Sequence, residues 1–159
     1  MENQTITLKD VMKLEKKAQI NWLYEFFNED TRLNHSKASR VEFFTTMRYI
    51  EKYLTSGMRI LDVGAGAGEY SLALAQKGFR VDAVEFAKPN VDAFRVKIKD
   101  LPIDLVEGDA RDLSQFPDQT FDMVLLMGPL YHLHESQDRH KALTEALRVL
   151  KPEGHIMVA

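Results

Sequence analysis

The chain has 159 residues, of which 45% are hydrophobic and 28% are charged, with a formal net charge of −3 and no cysteine. These values are typical of a globular protein with one core; they exclude disulfides and thiolate metal sites and give no electrostatic reason to expect a nucleic-acid partner. No apolar run approaches the roughly 20 residues that span a bilayer, and the first residues do not form a signal peptide, so we expect a cytoplasmic protein that acts on a small molecule, without a membrane partner.

Residues 1–56 are predicted to form an N-terminal helical cap, with a polar loop over 28–36. Within this cap, Tyr24, Trp22, Phe27 and Arg32 are candidates to line a ligand site. The first apolar helical face is predicted to comprise Val11, Leu14, Ala18, Leu23, Phe26 and Phe27. The second is predicted to comprise Val41, Phe44, Tyr49, Tyr53 and Leu54.

From residue 57 to residue 159 the pattern alternates between strands and helices. The predicted strands are 59–63, 80–86, 103–107, 121–127 and 155–159, and the predicted helices are 69–77, 89–99 and 137–150, the last with Leu143, Leu147 and Leu150 on one face. Gly78 is expected to end the first helix, and residues 151–154 to separate the last helix from the last strand. The alternation predicts a Rossmann-like α/β fold, a doubly wound parallel sheet of about five strands, with ligands bound at the carboxyl ends of the strands.

A glycine-rich turn joins the first of these strands to its helix. It reads Asp-Val-Gly-Ala-Gly-Ala-Gly over residues 62–68, so glycines stand at Gly64, Gly66 and Gly68. Glycine permits backbone conformations closed to other residues and a close approach of a ligand to the main chain. A dinucleotide fingerprint would place its third glycine one residue later, and the carboxylate of Asp62 would repel a pyrophosphate but can hold a cation.

This acidic-x-G-x-G-x-G motif resembles the first motif of the class I S-adenosylmethionine-dependent methyltransferases. The resemblance covers about residues 58–159 and implies the cofactor S-adenosylmethionine, with S-adenosylhomocysteine as product. Asp62 and the turn, including Ala65, would hold the methionine end of the cofactor. A nicotinamide-dependent oxidoreductase is a distant alternative, because the glycine spacing argues against it.

Two further motifs follow the next two strands. Glu85 ends the second strand, where the resemblance implies that it binds the ribose hydroxyls, with Phe86 beside it. Asp109 and Ala110 follow the third strand and match the positions that bind the adenine amine and a ring nitrogen in the family. The alternatives are a solvated strand-end glutamate and an aspartate that only caps the following turn.

The segment after the fourth strand is predicted to lie beside the reacting methyl group. Met127 would contact the cofactor, and Tyr131 and His132 are the candidate catalytic residues, His132 as a general base or simply as a hydrogen-bonding group. A metal site built from His132, His134, Glu135 and His140 is a weaker alternative, because two ligands on one loop do not make a site. We expect no bound metal.

The family's complete sheet has seven strands, whereas this sequence ends with the fifth. We therefore expect a truncated chain whose fifth strand is an exposed edge, open to pairing or swapping in a homodimer. A methyltransferase acting on a small molecule is the leading hypothesis. A cofactor-binding but inactive fragment or regulatory module is the second.

Overall fold

The computed structural model describes residues 8–26 and 36–159 of the chain. The helices in these ranges are α1 (Leu8–Val11), α2 (Lys16–Phe26), α3 (Lys37–Glu51), α4 (Glu69–Gln76), α5 (Lys88–Ile98), α6 (Pro129–His132) and α7 (Ser136–Val149). The strands are β1 (Arg59–Val63), β2 (Arg80–Glu85), β3 (Ile103–Glu107), β4 (Phe121–Leu126) and β5 (Leu150–Val158). The predicted cap residues Phe27 and Arg32 lie outside the described residues.

The five strands form one parallel sheet in the order β3-β2-β1-β4-β5. The order reverses between β1 and β4, which is the topological switch point of a doubly wound sheet. The predicted Rossmann-like α/β fold is therefore confirmed. Because all strands are parallel, the turns after β1, β2, β3 and β4 meet at one edge of the sheet.

Both faces of the sheet are covered by apolar side chains. On one face, Met47 and Ile50 of α3 pack with Leu74 of α4 and Phe94 of α5 in one buried cluster. On the other face, α7 contributes to a second cluster together with the segment that follows β3. A sheet buried on both sides fixes its strands, and with them the turns at the carboxyl edge.

The predicted apolar face of α3 is wrong. Val41, Phe44, Tyr49 and Tyr53 are exposed, and the helix buries Met47 and Ile50 instead. Leu54, which follows the helix, is the member of the predicted face that packs on the core. The prediction followed the aromatic residues and chose the wrong face. Helix α3 carries apolar side chains on more than one face, and its contact with the sheet decides which face is buried.

The predicted start of the last strand is also wrong. Residues 151–154 were predicted to separate the last helix from a strand beginning at residue 155, but β5 runs without interruption from Leu150 to Val158. The Pro152–Gly154 segment lies where the register against β4 shifts, and a Cβ on Gly154 would meet the carbonyl oxygen of Asp122 at 2.9 Å. Proline and glycine are tolerated there because β5 is an edge strand with an irregular register. The preceding helix α7 buries Ala142 and Ala146, and the predicted Leu147 is exposed.

Candidate active site

A cavity of about 870 Å³ opens at the carboxyl edge of the sheet, between the strand ends and helix α2. Its volume lies within the range of small-molecule and cofactor sites. Each predicted site residue except Gly68 lines it: Asp62, Gly64, Ala65, Gly66, Glu85, Phe86, Asp109, Ala110, Met127, Tyr131 and His132. The topology thus brings four separate segments of the sequence to one site.

The glycine turn is fixed by its backbone and by close packing. Gly64, Gly66 and Gly68 have φ values of +76°, +56° and +88°, a region that disfavours residues with a Cβ atom. A Cβ on Gly64 would collide with the ring of Pro129, and a Cβ on Gly68 would collide with the ring of Phe94. Gly68 therefore serves the packing of the turn against α5, while Gly64 and Gly66 face the cavity.

Asp62 is buried at the end of β1, and its Oδ2 accepts a 2.7 Å hydrogen bond from the Ser71 hydroxyl. Burial raises the pKa of this carboxyl to about 6, the Ser71 hydrogen bond opposes the rise, and the charge of Glu85 adds to it. Desolvation disfavours the carboxylate until a cation reaches it. Asp62 thus places a buried carboxyl at the cavity wall, where the approach of a cation would favour its charged form.

Glu85 holds the glycine turn and the start of α5 at the same time. Its Oε2 accepts from the backbone N–H of Gly66 at 2.9 Å, and its Oε1 accepts from the N–H of Ala87 at 2.8 Å. The amide of Asn90, also buried, donates to Oε1 at 3.2 Å. Glu85 is thus a buried acceptor fixed in orientation by three donors, which excludes the interpretation of a solvated strand-end glutamate.

Asp109 is held by an arginine two residues later. Arg111 donates to both carboxylate oxygens from its guanidinium, at 2.6 to 3.1 Å, and from its backbone N–H at 2.9 Å. Although burial opposes it, the contact with Arg111 leaves the pKa of Asp109 below its usual value. Arg111 also donates to Asp138 of α7 at 2.8 Å. Asp109 does cap the turn, as the alternative interpretation predicted, and it also faces the cavity.

Tyr131 and His132, in the short helix α6, form the other end of the cavity. Tyr131 is 70% exposed, whereas His132 is partly buried. The Tyr24 hydroxyl and Nε2 of His132 lie 2.8 Å apart, with the two rings edge to face. The predicted cap residue Tyr24 therefore lines the site and contacts the candidate base.

Helix α2 is joined to the carboxyl edge at three points along one of its faces. Lys17 Nζ lies 2.6 Å from Glu107 Oε1, and Asn21 Oδ1 accepts from the backbone N–H of Lys88 at 3.0 Å. Tyr24 makes the third contact, with His132. The spacing of four and three residues places these side chains on the same face of a helix. Helix α2 thus closes the cavity on the side away from the sheet.

Comparison with protein families gives a match to the methyltransferase domain over residues 61–158. The chain belongs to the class I S-adenosylmethionine-dependent methyltransferases. The cypemycin N-terminal methyltransferase of Streptomyces sp is 40% identical over 99 residues, which are 62% of this chain and 40% of that protein. The demethylmenaquinone methyltransferase of Clavibacter sepedonicus is 39% identical, over 65% of this chain and 41% of that protein. The chain spans about two fifths of the length of these relatives.

Solved structures of methyltransferase folds agree with the sheet and its helices. The PH0226 protein of Pyrococcus horikoshii OT3 superposes with a TM-score of 0.74 and 29% identity, over 84% of this chain and 60% of that one. The [4+2]-cyclase SpnF superposes with a TM-score of 0.63 and 29% identity, over 72% of this chain and 43% of that one. A methyltransferase fold is therefore compatible with more than one chemistry.

Several residues around this cavity were not predicted from the sequence. Ser71 and Asn90 are buried polar residues that orient the two carboxylates at the ends of β1 and β2. Lys17 lies over the Phe86 ring, with Nζ 5.3 Å from its centroid. The serine and the asparagine each interrupt an otherwise apolar helical face, a signal that could have been noticed, whereas nothing in the local sequence links Lys17 to Phe86.

The alternative metal site finds no support in residues 8–26 and 36–159, where no group of three or more histidine, aspartate or glutamate side chains is arranged to hold an ion. No helix in these same ranges is both long and apolar enough to cross a membrane.

Proposed function

We propose that this chain binds S-adenosylmethionine in the cavity at the carboxyl edge and transfers its methyl group to a small-molecule acceptor. The observation that carries the proposal is the set of three carboxylates placed around one cavity: Asp62, Glu85 and Asp109. The cofactor presents three kinds of donor, an ammonium, ribose hydroxyls and an adenine amine. Asp62 and Glu85, at the ends of β1 and β2, and Asp109, which follows β3, can each accept from one of these groups.

Backbone also lines the cavity. Gly64 and Gly66 carry no Cβ and adopt positive φ values, so part of the cavity wall is main chain that a ligand can approach closely. In this proposal the turn and Asp62 hold the methionine end, with Ala65 beside them. Glu85 accepts from the ribose, Phe86 and Met127 provide apolar contacts, and Asp109 and Ala110 meet the adenine.

Bound S-adenosylmethionine supplies an electrophilic methyl carbon on a sulfonium. The chain's own contribution is to position the acceptor and to exclude water. Holding two reactants in a near-attack geometry accounts for about 7 to 11 kcal/mol of a barrier. Helix α2 covers the cavity, and His132 and Tyr131 lie at the end where the acceptor would enter.

A second candidate is cofactor binding without methyl transfer. It is favoured by the similarity to the [4+2]-cyclase SpnF, which has this fold and is named for another reaction.

Turnover separates the two candidates. The purified chain is incubated with S-adenosylmethionine and a panel of phenol, amine and thiol acceptors, and S-adenosylhomocysteine is measured with and without each acceptor. Acceptor-dependent product supports methyl transfer. Binding of the cofactor without product from any acceptor supports the second candidate.

A further inference from the structure

The contact between Tyr24 and His132 joins two residues 108 positions apart in the sequence. The phenol oxygen lies 2.8 Å from Nε2, and the ring centroids lie 5.7 Å apart with an interplanar angle of 67°. Both side chains line the cavity, Tyr24 from the covering helix α2 and His132 from α6 at the sheet edge. The contact is therefore part of the site and not of the core.

The geometry restricts how His132 can act as a base. When the tyrosine hydroxyl donates to Nε2, the neutral imidazole carries its proton on Nδ1. In that tautomer the Tyr24–His132 hydrogen bond is a path along which a proton can reach Nε2. A hydroxyl can accept a hydrogen bond while it donates one, so it can pass a proton along.

We propose that Tyr24 is the catalytic residue that contacts the acceptor and that His132 acts through it as the final proton acceptor. This inference rests on the proposed methyl transfer. The acceptor's proton moves to the Tyr24 oxygen as the Tyr24 proton moves to Nε2 of His132. The acceptor's electron pair forms the bond to the methyl carbon, and the electrons of the broken carbon–sulfur bond stay on sulfur. The imidazolium afterwards releases its proton to water.

This arrangement assigns a class of acceptor. A proton relay is useful only when the attacking atom loses a proton, so the acceptor is a hydroxyl or an amine and not a thiolate or a carbanion. Three further carboxylates line the cavity and are rival bases: Glu15, Glu42 and Glu69. Each is therefore replaced in turn, as Glu15→Gln, Glu42→Gln and Glu69→Gln.

The test compares Tyr24→Phe and His132→Gln with the native chain. Tyr24→Phe removes the hydroxyl and keeps the ring, whereas His132→Gln keeps an acceptor for the hydroxyl but cannot take a proton. Tyr49→Phe on the exposed face of α3 and His140→Gln on α7 are matched controls outside the cavity. Catechol, 1,4-naphthohydroquinone and glycine serve as acceptor probes, and S-adenosylhomocysteine is the cofactor probe in calorimetry.

We expect both site variants to lower turnover about 10²- to 10⁴-fold, the usual contribution of general acid–base catalysis. Their affinities for S-adenosylhomocysteine should change less than about threefold, since cofactor binding does not use the pair. The double variant should be no slower than either single variant, because the two residues act in one step. A native rate in His132→Gln, or a loss confined to Glu15→Gln, Glu42→Gln or Glu69→Gln, would overturn the proposal.

Nitrogen NMR of the imidazole gives a second readout, which decides the matter if no probe is methylated. With S-adenosylhomocysteine bound, His132 is expected to carry its proton on Nδ1, and Tyr24→Phe should shift its Nε2 signal while Tyr49→Phe does not. A proton on Nε2 in the neutral ring would overturn the relay. Absence of S-adenosylhomocysteine binding by the native chain would instead overturn the proposed function on which the relay rests.

Discussion

The two ends of the cavity are built in different ways. The end at β1 and β2 consists of backbone and buried carboxylates: the glycine turn, Asp62 and Glu85, fixed by strands covered on both faces. The other end consists of side chains on the short helix α6 and the covering helix α2, joined by Tyr24 and His132. We call the first the rigid end, because backbone and buried hydrogen bonds hold it, and the second the acceptor end, which depends on a contact between two separate helices.

The largest expected effect concerns the rigid end. Gly68→Ala should lower the free energy of unfolding by about 2 to 5 kcal/mol. The alanine would have to adopt the left-handed backbone conformation of Gly68, and its Cβ would collide with the ring of Phe94. Gly78→Ala is the matched control: φ is +90° but nothing lies within 4 Å of the added Cβ, so about 1 kcal/mol is expected. Urea denaturation measures both. Equal losses would show that packing at Gly68 does not fix the turn.

The second expected effect is a pH dependence that originates at Asp62. Its pKa is raised from 3.8 to about 6 in the folded chain, so between these values the folded state holds a proton that the unfolded state has lost. The contribution of Asp62 to the free energy of unfolding should therefore fall by up to about 3 kcal/mol as pH rises from about 4 to 6.

The Asp62→Asn variant isolates this contribution, because carboxylates with lowered pKa values, such as Asp109 and Asp122, act in the opposite direction in both proteins. The measurement is a series of denaturation curves across this pH range for both proteins. A native-minus-variant difference that stays constant with pH would contradict the assignment.

The third expected effect tests the proposed role of Glu85 as the acceptor of the ribose hydroxyls. Glu85→Gln should weaken S-adenosylhomocysteine binding about 10- to 100-fold, because hydrogen bonds to a charged group are the stronger ones. The control is Glu51→Gln, whose carboxylate pairs with Lys77 on the surface. Calorimetry measures both affinities. An unchanged affinity in Glu85→Gln would remove Glu85 from the cofactor site.

The smallest expected effect concerns helix α2. Lys17→Met removes a half-exposed ion pair with Glu107 and should cost less than about 1 kcal/mol of stability and a few-fold in cofactor affinity. Arg80→Met breaks the exposed pair with Asp104 and is the matched control away from the cavity. If Lys17→Met weakened cofactor binding more than about tenfold, α2 would be part of the rigid end and not of the acceptor end.

The sequence predicted the rigid end well. Strand, glycine turn and helix are adjacent in the chain, so the positions of Asp62, Gly64 and Gly66 follow from local signals. Glu85 and Asp109 could be placed because parallel strands bring their carboxyl ends to one edge. Asn90 and Ser71 were not predicted, since their roles depend on which buried carboxylate each one reaches.

The acceptor end could not be predicted in the same way. Nothing local links Tyr24 to His132 or Lys17 to Phe86, because these contacts depend on how α2 lies across the edge. The buried face of α3 was predicted wrongly for the same reason. Packing on the sheet buries Met47 and Ile50 and leaves the larger aromatic side chains of the predicted face exposed. The domain boundary near residue 57 and pairing through the edge of β5 stay predictions.

Calorimetric titration with S-adenosylmethionine and S-adenosylhomocysteine tests the central claim most directly, with NAD as control ligand and a Gly66→Arg variant, checked for folding by circular dichroism. We expect one binding site for each adenosyl ligand, no binding of NAD, and no binding by the folded variant, since an arginine in the glycine turn would fill the cavity. Failure of the native chain to bind either adenosyl ligand, or binding of NAD in their place, would contradict the proposal that this cavity binds S-adenosylmethionine.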